Sequence, residues 1–291
     1  MKKSKPLLIA ALGFALILPP LHAQVAGDKI PGVTKGPATA KLGAIAHIEV
    51  PADCVFLDGE ATRRRVKSAG NRVSGNEVGL ISPTNHLWAV YFEYDASGHV
   101  LDDEKDKLDS MADKILASYK EGAAQQNKER ERMGAPAIEI VGWLQPPHYD
   151  ETTHNLTWAI RATSGGQPLL NYNTRLLGRL GSMEVVLACD PDQLPQTLPA
   201  FTSLLAGYSF QSGQTYAEYR PGDKVAKYGL AALVVGGAAV GAAKLGLLAW
   251  LLPFLKKGWI LIVAAFAAVA NFFKKTFAKI SGRKPDDQSP Q

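Results

Sequence analysis

Cysteine is nearly absent: Cys54 and Cys189 are the only two thiols in 291 residues. Two isolated thiols exclude a C-x-x-C redox centre and a four-cysteine zinc site. The chain also has no P-loop, no G-x-S-x-G elbow, no H-E-x-x-H helix and no paired C-x-x-C. Each of those spacings holds a nucleophile, a metal or a phosphate in a fixed geometry, and without them no familiar catalytic chemistry is signalled. No catalytic residue, cofactor or metal is therefore nominated. A basic folded region is missing too. The net charge of +5 hides a split: residues 24–227 carry 21 Lys+Arg against 25 Asp+Glu, and residues 228–291 carry 8 Lys+Arg against 2 Asp. Nucleic acid needs a basic stripe on a folded surface, which an acidic domain does not offer. Cations beside apolar runs instead fit contact with an anionic membrane leaflet.

What the chain does have is two apolar ends. Residues 1–23 have a positive start (Lys2, Lys3, Lys5), an apolar stretch from Leu7 to Leu18, the breakers Pro19 and Pro20, and Ala23 before the expected cut. That is the layout of a secretory signal peptide, with bacterial export the simplest reading. Residues 228–252 read YGLAALVVGGAAVGAAKLGLLAWLL with one charge. As a helix this run reaches about 37 Å, enough to cross a bilayer with tilt. Gly237 and Gly241 form a small-xxx-small pair suited to self-association of helices. Residues 253–291 form a basic tail, and within it 259–273 is a second apolar run. At about 22 Å that run falls short of a span, so an interfacial helix is favoured over a second crossing. The expected placement is the bacterial inner membrane, with the main domain in the periplasm and the tail in the cytoplasm.

Between these ends, residues 24–41 read as a Gly/Pro/Ala-rich leader, 42–220 as one α+β domain and 221–227 as a linker. Strands are expected over 44–50, 54–57, 88–94, 99–101, 138–144, 156–163, 169–177 and 183–189, with a closing strand near Tyr208. A short helix follows Asp58 as cap, and another runs from Asp190 to about Leu205. Residues 103–133 give the longest helical pattern, with Leu108, Met111, Ile115, Tyr119 and Ala123 at helical spacing. Short links at Ser164-Gly165-Gly166 and Gly181-Ser182 make neighbouring strands antiparallel. An antiparallel sheet with flanking helices is the expected fold.

The stretches WAVYFEYDASGHVLDD (88–103), GWLQPPHYDETTHNLTWAI (142–160), NYNTRLLGRLG (171–181) and GDKVAKYGLAALV (222–234) resemble a family of membrane-anchored bacterial proteins, domain of unknown function, family 2167. The resemblance covers nearly all of the chain from about residue 40 to the tail. It implies an exported domain with a C-terminal anchor and assigns no activity. The order of elements also resembles the Mog1/PsbP-type sandwich, a likeness of architecture that carries no function.

Four polar groupings compete as sites. Arg175 and Arg179, four apart on an expected strand, should share a face, and Arg161 on the preceding strand would join them in the right register. Three guanidiniums there are either neutralised by internal carboxylates, the favoured reading, or held for an anionic ligand. Tyr149 and Asp150 would contribute to such a ligand site. The grouping His148, Tyr149, Asp150, Glu151 and His154 has metal-ligand chemistry but no standard metal spacing, and a polar turn accounts for it better. Asp95, Asp102, Asp103, Glu104 and Asp106 lack the register of a calcium loop, and a solvated turn before a helix accounts for them better. Cys54 and Cys189 in an oxidising compartment invite a disulfide, and both paired and unpaired states stay open. The functional reading is a non-enzymatic envelope protein whose partners are the lipid bilayer and other envelope proteins. The alternative is a binder of a small anion or envelope metabolite, or a hydrolase, using the arginines.

Overall fold

The computed structural model describes residues 31–68, 73–132 and 134–236. Eleven strands and four α-helices are found among them: β1 (Val33–Lys35), β2 (Ala38–Leu42), β3 (Ala46–Val50), β4 (Cys54–Asp58), α1 (Gly59–Ser68), β5 (Glu77–Pro83), β6 (Trp88–Asp95), α2 (Leu108–Arg132), β7 (Ile138–Asp150), β8 (Asn155–Ser164), β9 (Gln167–Leu177), β10 (Ser182–Cys189), α3 (Leu194–Ala206), β11 (Tyr208–Phe210) and α4 (Leu230–Val234). The expected α+β class with a large antiparallel sheet and few helices is found. Eight strands form one sheet in the order β1-β4-β5-β6-β10-β9-β8-β7, and β11-β3-β2 form a second.

One face of the large sheet packs on the small sheet and α3. Ile48, Phe56, Phe92, Met183, Leu187 and Phe201 fill that core. The other face carries α2 and α4 over Trp158, Leu156 and Ile160, and α1 over Leu57, Leu80 and Tyr91. Register shows that these two patches share a face: Tyr91 lies opposite Val186, Val186 opposite Asn173, and Asn173 opposite Trp158.

Local chemistry explains the main elements. Asp58 accepts a hydrogen bond from the Ala61 N–H at 2.8 Å and so caps α1. In α2, Leu108, Ile115, Tyr119 and Ala123 are buried, Met111 is half-buried against the same core, and most of the charged residues between them are exposed. Full burial of each large apolar side chain in that stripe is worth about 1.5–3 kcal/mol. The two-residue link Gly165-Gly166 has both residues at positive φ (57° and 77°), which turns β8 into β9.

The structure differs from expectation in five places. Residues 33–41 of the expected leader belong to β1 and β2, paired with β4 and β3. Strand β5 was not foreseen. It is buried along its length apart from Val78 and so lacks an alternating pattern, and its Gly79 has no room for a side chain: a Cβ there would sit 2.6 Å from the Phe56 ring and 2.7 Å from Leu42. Residues 99–101 give a single bridge, His99 to Val225, in place of a strand. The expected linker 221–227 is docked on the domain. The expected span 228–252 begins with residues of the domain core: Leu230, Leu233 and Val234 are buried against α2 and the sheet. No helix among the described residues is long and apolar enough to cross a membrane. The signal-like segment 1–23, the pair Gly237 and Gly241, and the apolar runs beyond Gly236 lie outside the described residues.

Candidate functional site

The arginines nominated together occupy three separate environments. Arg175 lies directly opposite Leu156 on β8, so it shares the face of Trp158 and Ile160. Arg161 alternates to the other face and is exposed, its Nη2 donating to the Trp143 carbonyl at 3.5 Å. Arg179 lies beyond the end of β9, because the strand stops at Leu177 and Gly178 bridges instead to Thr215.

Arg175 is 5% exposed. Its Nη2 donates to Glu184 Oε1 at 2.8 Å, and its guanidinium carbon lies 5.0 Å from the centre of the Trp158 ring. Trp158 Nε1 donates to the Tyr119 hydroxyl at 3.0 Å, and that hydroxyl donates to the Val234 carbonyl. The arginine is therefore held by a carboxylate on one side and a ring fixed by α2 and α4 on the other. Its Nη1 is buried without a hydrogen-bond partner.

Register extends this pair into a row. Glu184 lies opposite Arg175, Glu93 opposite Glu184, and Glu77 opposite Glu93. Glu77 is tied down by the Ser74 and Gly75 N–H groups at 2.6 and 2.8 Å, and Glu93 accepts from the Ser74 hydroxyl at 2.7 Å. Burial first, and then the Glu184 and Glu77 carboxylates beside it, push the Glu93 carboxyl up to about 7. Directly opposed carboxylates repel, and the row relieves this by keeping a proton on Glu93 near neutrality.

A second grouping ties the loop between β6 and α2 to the segment after β11. Arg179 grips Asp223 with two hydrogen bonds, Nε to Oδ2 at 2.7 Å and Nη2 to Oδ1 at 2.8 Å. Those bonds hold the Asp223 carboxyl down at about 2. The His99 ring is stacked between Tyr216 and Tyr219, each at 4.3 Å between centroids. Its backbone receives from Ala226 N–H and donates to the Lys224 carbonyl, both at 2.8 Å. Gly98, at φ 113°, makes this approach possible: a Cβ there would lie 2.6 Å from the Lys224 oxygen. Tyr216 donates to the Val100 carbonyl at 2.9 Å, and Tyr228 to Asp95 at 2.5 Å and to Ser97 Oγ at 2.6 Å. Glu104 accepts from the Ala231 N–H at 3.2 Å. Together these contacts form a clasp over residues 211–236.

Tyr149 belongs to the edge of the clasp. Its hydroxyl lies 3.1 Å from Asp102 Oδ2 and 2.9 Å from His154 Nδ1, and His154 packs on Tyr216 at 4.3 Å. Burial, and then the Asp102 carboxylate, raise the Tyr149 phenol well above its ordinary range. A phenol shifted upward is a poorer acid, and its bonds to Asp102 and His154 brace the loop. Asp150 is elsewhere, capping its turn through the Thr152 N–H at 2.8 Å. Among the described residues no group of three or more His, Cys, Asp or Glu gathers to hold a metal. Three of the five acidic residues ahead of α2 are taken up by the clasp, Asp95 by Tyr228, Asp102 by Tyr149 and Glu104 by α4, and Asp103 and Asp106 are exposed.

The thiols are free. Cys54 on β4 is opposite Pro83 on β5, and Cys189 on β10 is opposite Trp88 on β6. Three strand spacings separate them, about 14 Å, twice what a disulfide spans. Burial pushes the Cys54 thiol up to about 12 and the Cys189 thiol up to about 11, so neither is a ready nucleophile.

Sequence reasoning missed His99, Tyr216, Tyr219, Asp223 and the Glu93–Glu184 row. Arg175 and Arg179 were found because NYNTRLLGRLG stood out, but their partners lie on other strands and on a segment read as linker.

The fold defines an α+β protein built on a large antiparallel sheet with few helices. The chain belongs to the family described as protein of unknown function DUF2167, whose model matches residues 34–267. No curated protein matches it. Among solved structures it is similar to cyanobacterial PsbP (CyanoP) from Synechocystis sp. PCC 6803, a solution structure, over 65% of this chain and 98% of that one, at 8% identity and a TM-score of 0.35. A likeness at that level carries no argument about what this chain does.

Proposed function

We propose that the protein is an exported envelope protein, anchored by its C-terminal apolar segment, that acts by interaction and not by catalysis. The observation that carries this reading is the clasp. Residues 211–236 are fastened to the domain by Arg179–Asp223, by the stacked His99 and by Tyr228 on Asp95, so the chain leading to the apolar run is tied down to its last described residues. Such fastening suits a domain whose orientation at a membrane matters. The signal-like residues 1–23 and the cationic tail support the same reading. Alkaline phosphatase fused after Gly236 should be active in cells and fused after Gly258 inactive. An inactive first fusion, or an active second one, removes the proposed topology. Crosslinking of the intact protein in membranes, followed by mass spectrometry, would name the partners.

One observation favours the alternative, a small-anion or metabolite binder or hydrolase: the partnerless Nη1 of Arg175. Against it, Arg175 and Arg179 already hold carboxylates and Arg161 faces away. Stabilisation of the domain by a small anion, lost in Arg175→Lys, would promote that alternative.

A further inference from the structure

Six large apolar side chains are strongly exposed among the described residues, and three of them gather around His99: Leu101 at 45%, Tyr219 at 37% and Val225 at 37%. Tyr219 stacks on the His99 ring, Val225 is bridged to the His99 backbone, and Leu101 is two residues further along the same loop. Isolated exposed leucines are ordinary, whereas a cluster marks a contact surface. Charge singles out the same spot. Arg220 and Lys224 are exposed on the segment that carries Tyr219 and Val225. Of the neighbouring carboxylates, Asp223 is used by Arg179, Glu218 by the Gly213 and Thr215 N–H groups and Glu104 by the Ala231 N–H, while Asp103 and Asp106 are exposed on the loop side. The surface is thus apolar with a tyrosine and a cationic rim, which is the composition found where proteins meet a lipid interface. The chain supplies the reason for that occupant. Glu104, three residues past Leu101, caps the start of α4, and Gly236 soon after leads into nineteen residues before Lys256, 237–255, charged only at Lys244 and about 28 Å long as a helix.

We propose that Leu101, Tyr219 and Val225, rimmed by Arg220 and Lys224, form a docking face for the surface of an anionic phospholipid bilayer. The proposal rests on the reading of the apolar run as a membrane anchor and adds to it that the domain itself lies against the lipid. Tyr219 and the apolar pair enter the headgroup layer, while the two cations meet lipid phosphates. The clasp keeps the face rigid, so no ordering of a loose segment opposes docking.

The test uses the full chain in nanodiscs of phosphatidylethanolamine and phosphatidylglycerol, with the photo-crosslinking residue benzoylphenylalanine in place of Leu101. A second sample carries it in place of Leu144, which is also exposed and lies on the edge strand β7, five residues before Tyr149. Lipid adducts are read by mass spectrometry. Lipid adducts at position 101 and not at 144 are expected. Arg220→Glu with Lys224→Glu should cut the yield at 101 by on the order of tenfold or more, given the attraction of each basic residue to an anionic surface. Adducts at 101 to a second copy or to another protein would overturn the proposal, as would equal yields at both positions or a yield unmoved by the charge reversals. A chain that enters the discs but gives no lipid adduct refutes the docking face alone. A chain that fails to enter the discs refutes the anchor and the docking face together.

Discussion

Arg175 and Arg179 stand four residues apart, each holds one carboxylate, and the two pairs serve different ends. Arg175 is beneath α2 and α4, its charge shared between Glu184 and the face of Trp158, in a row where carboxylates outnumber it. Arg179 is at the end of the sheet and grips Asp223 squarely with two hydrogen bonds. The first pair is part of the packing and the second is a fastener. A buried guanidinium with one carboxylate is costly to disturb, because removing it strands charge in the interior. A bidentate pair near the surface can open without unfolding the sheet. The two regions should therefore differ in how far damage spreads.

Arg175→Ala should give the largest effect. Loss of the cation leaves Glu184 and Glu93 facing each other without compensation, and the cost is about 2–4 kcal/mol. For a domain of this size that lowers Tm by roughly 5–15 °C. A Tm within about 2 °C of the unaltered protein would break the comparison, since Arg175 would then be no more structural than a surface residue. Tyr119→Phe comes next. It removes the acceptor for Trp158 Nε1 and the donor to the Val234 carbonyl, and each lost bond inside the core costs about 1 kcal/mol. Thermal unfolding of the purified domain checks both variants.

Asp223→Asn should act differently. The sheet stays intact, and limited proteolysis should now cut between Gln211 and Lys227, with little change in Tm. Equal loss of Tm in Asp223→Asn and Arg175→Ala would erase the distinction between fastener and core.

The two regions should also respond to pH with opposite sign. Glu93 has its folded-state value raised to about 7 from the usual 4.5. Its contribution is fully present below about 4.5 and is lost as pH rises through 7. Asp223 has its value lowered to about 2 from 3.8, so its contribution is present above 3.8 and is lost as pH falls through 2. His99, lowered by burial from 6.5, adds to the acid sensitivity of the clasp, since folding disfavours its charged form. Tm should fall as pH rises from about 4.5 to about 7, and Glu93→Gln should flatten that fall alone. A fall between about pH 4.5 and 7 unchanged by Glu93→Gln would show that the row does not hold a proton. The smallest effect expected is at the thiols. Exposure to oxidant should leave Cys54 and Cys189 unjoined on a non-reducing gel, with no shift in Tm.

The parts of the fold legible in the sequence are those with local cause. The stripe from Leu108 to Ala123 could be read as a helix because its period is set within one element. The hairpin at Ser164-Gly165-Gly166 could be read because the turn needs glycine. Strand β5 was not legible, since nearly all of it is buried and it shows no alternation. Residues 33–41 were hidden by a Gly/Pro/Ala-rich composition that reads as leader. The clasp was least legible of all, because Tyr228 meets Asp95 and Tyr216 meets Val100 across more than a hundred residues, and no local pattern encodes such a meeting. For the site, spacing placed Arg175 and Arg179 on one strand, but the strand ends between them at Leu177. Cys54 and Cys189 were sensible disulfide candidates by compartment, and strand order set them apart.

The central claim is that residues 211–236 are part of the folded domain and do not form a linker. Amide hydrogen exchange of the full chain, solubilised in detergent and read by mass spectrometry, tests it directly. The Ala226 N–H on His99, the His99 N–H on Lys224 and the Arg179 N–H on Gln214 should exchange at least about a hundredfold more slowly than an unstructured peptide. Exchange of those three amides at the rate of an unstructured peptide, with β8 and β9 still protected, would contradict the account.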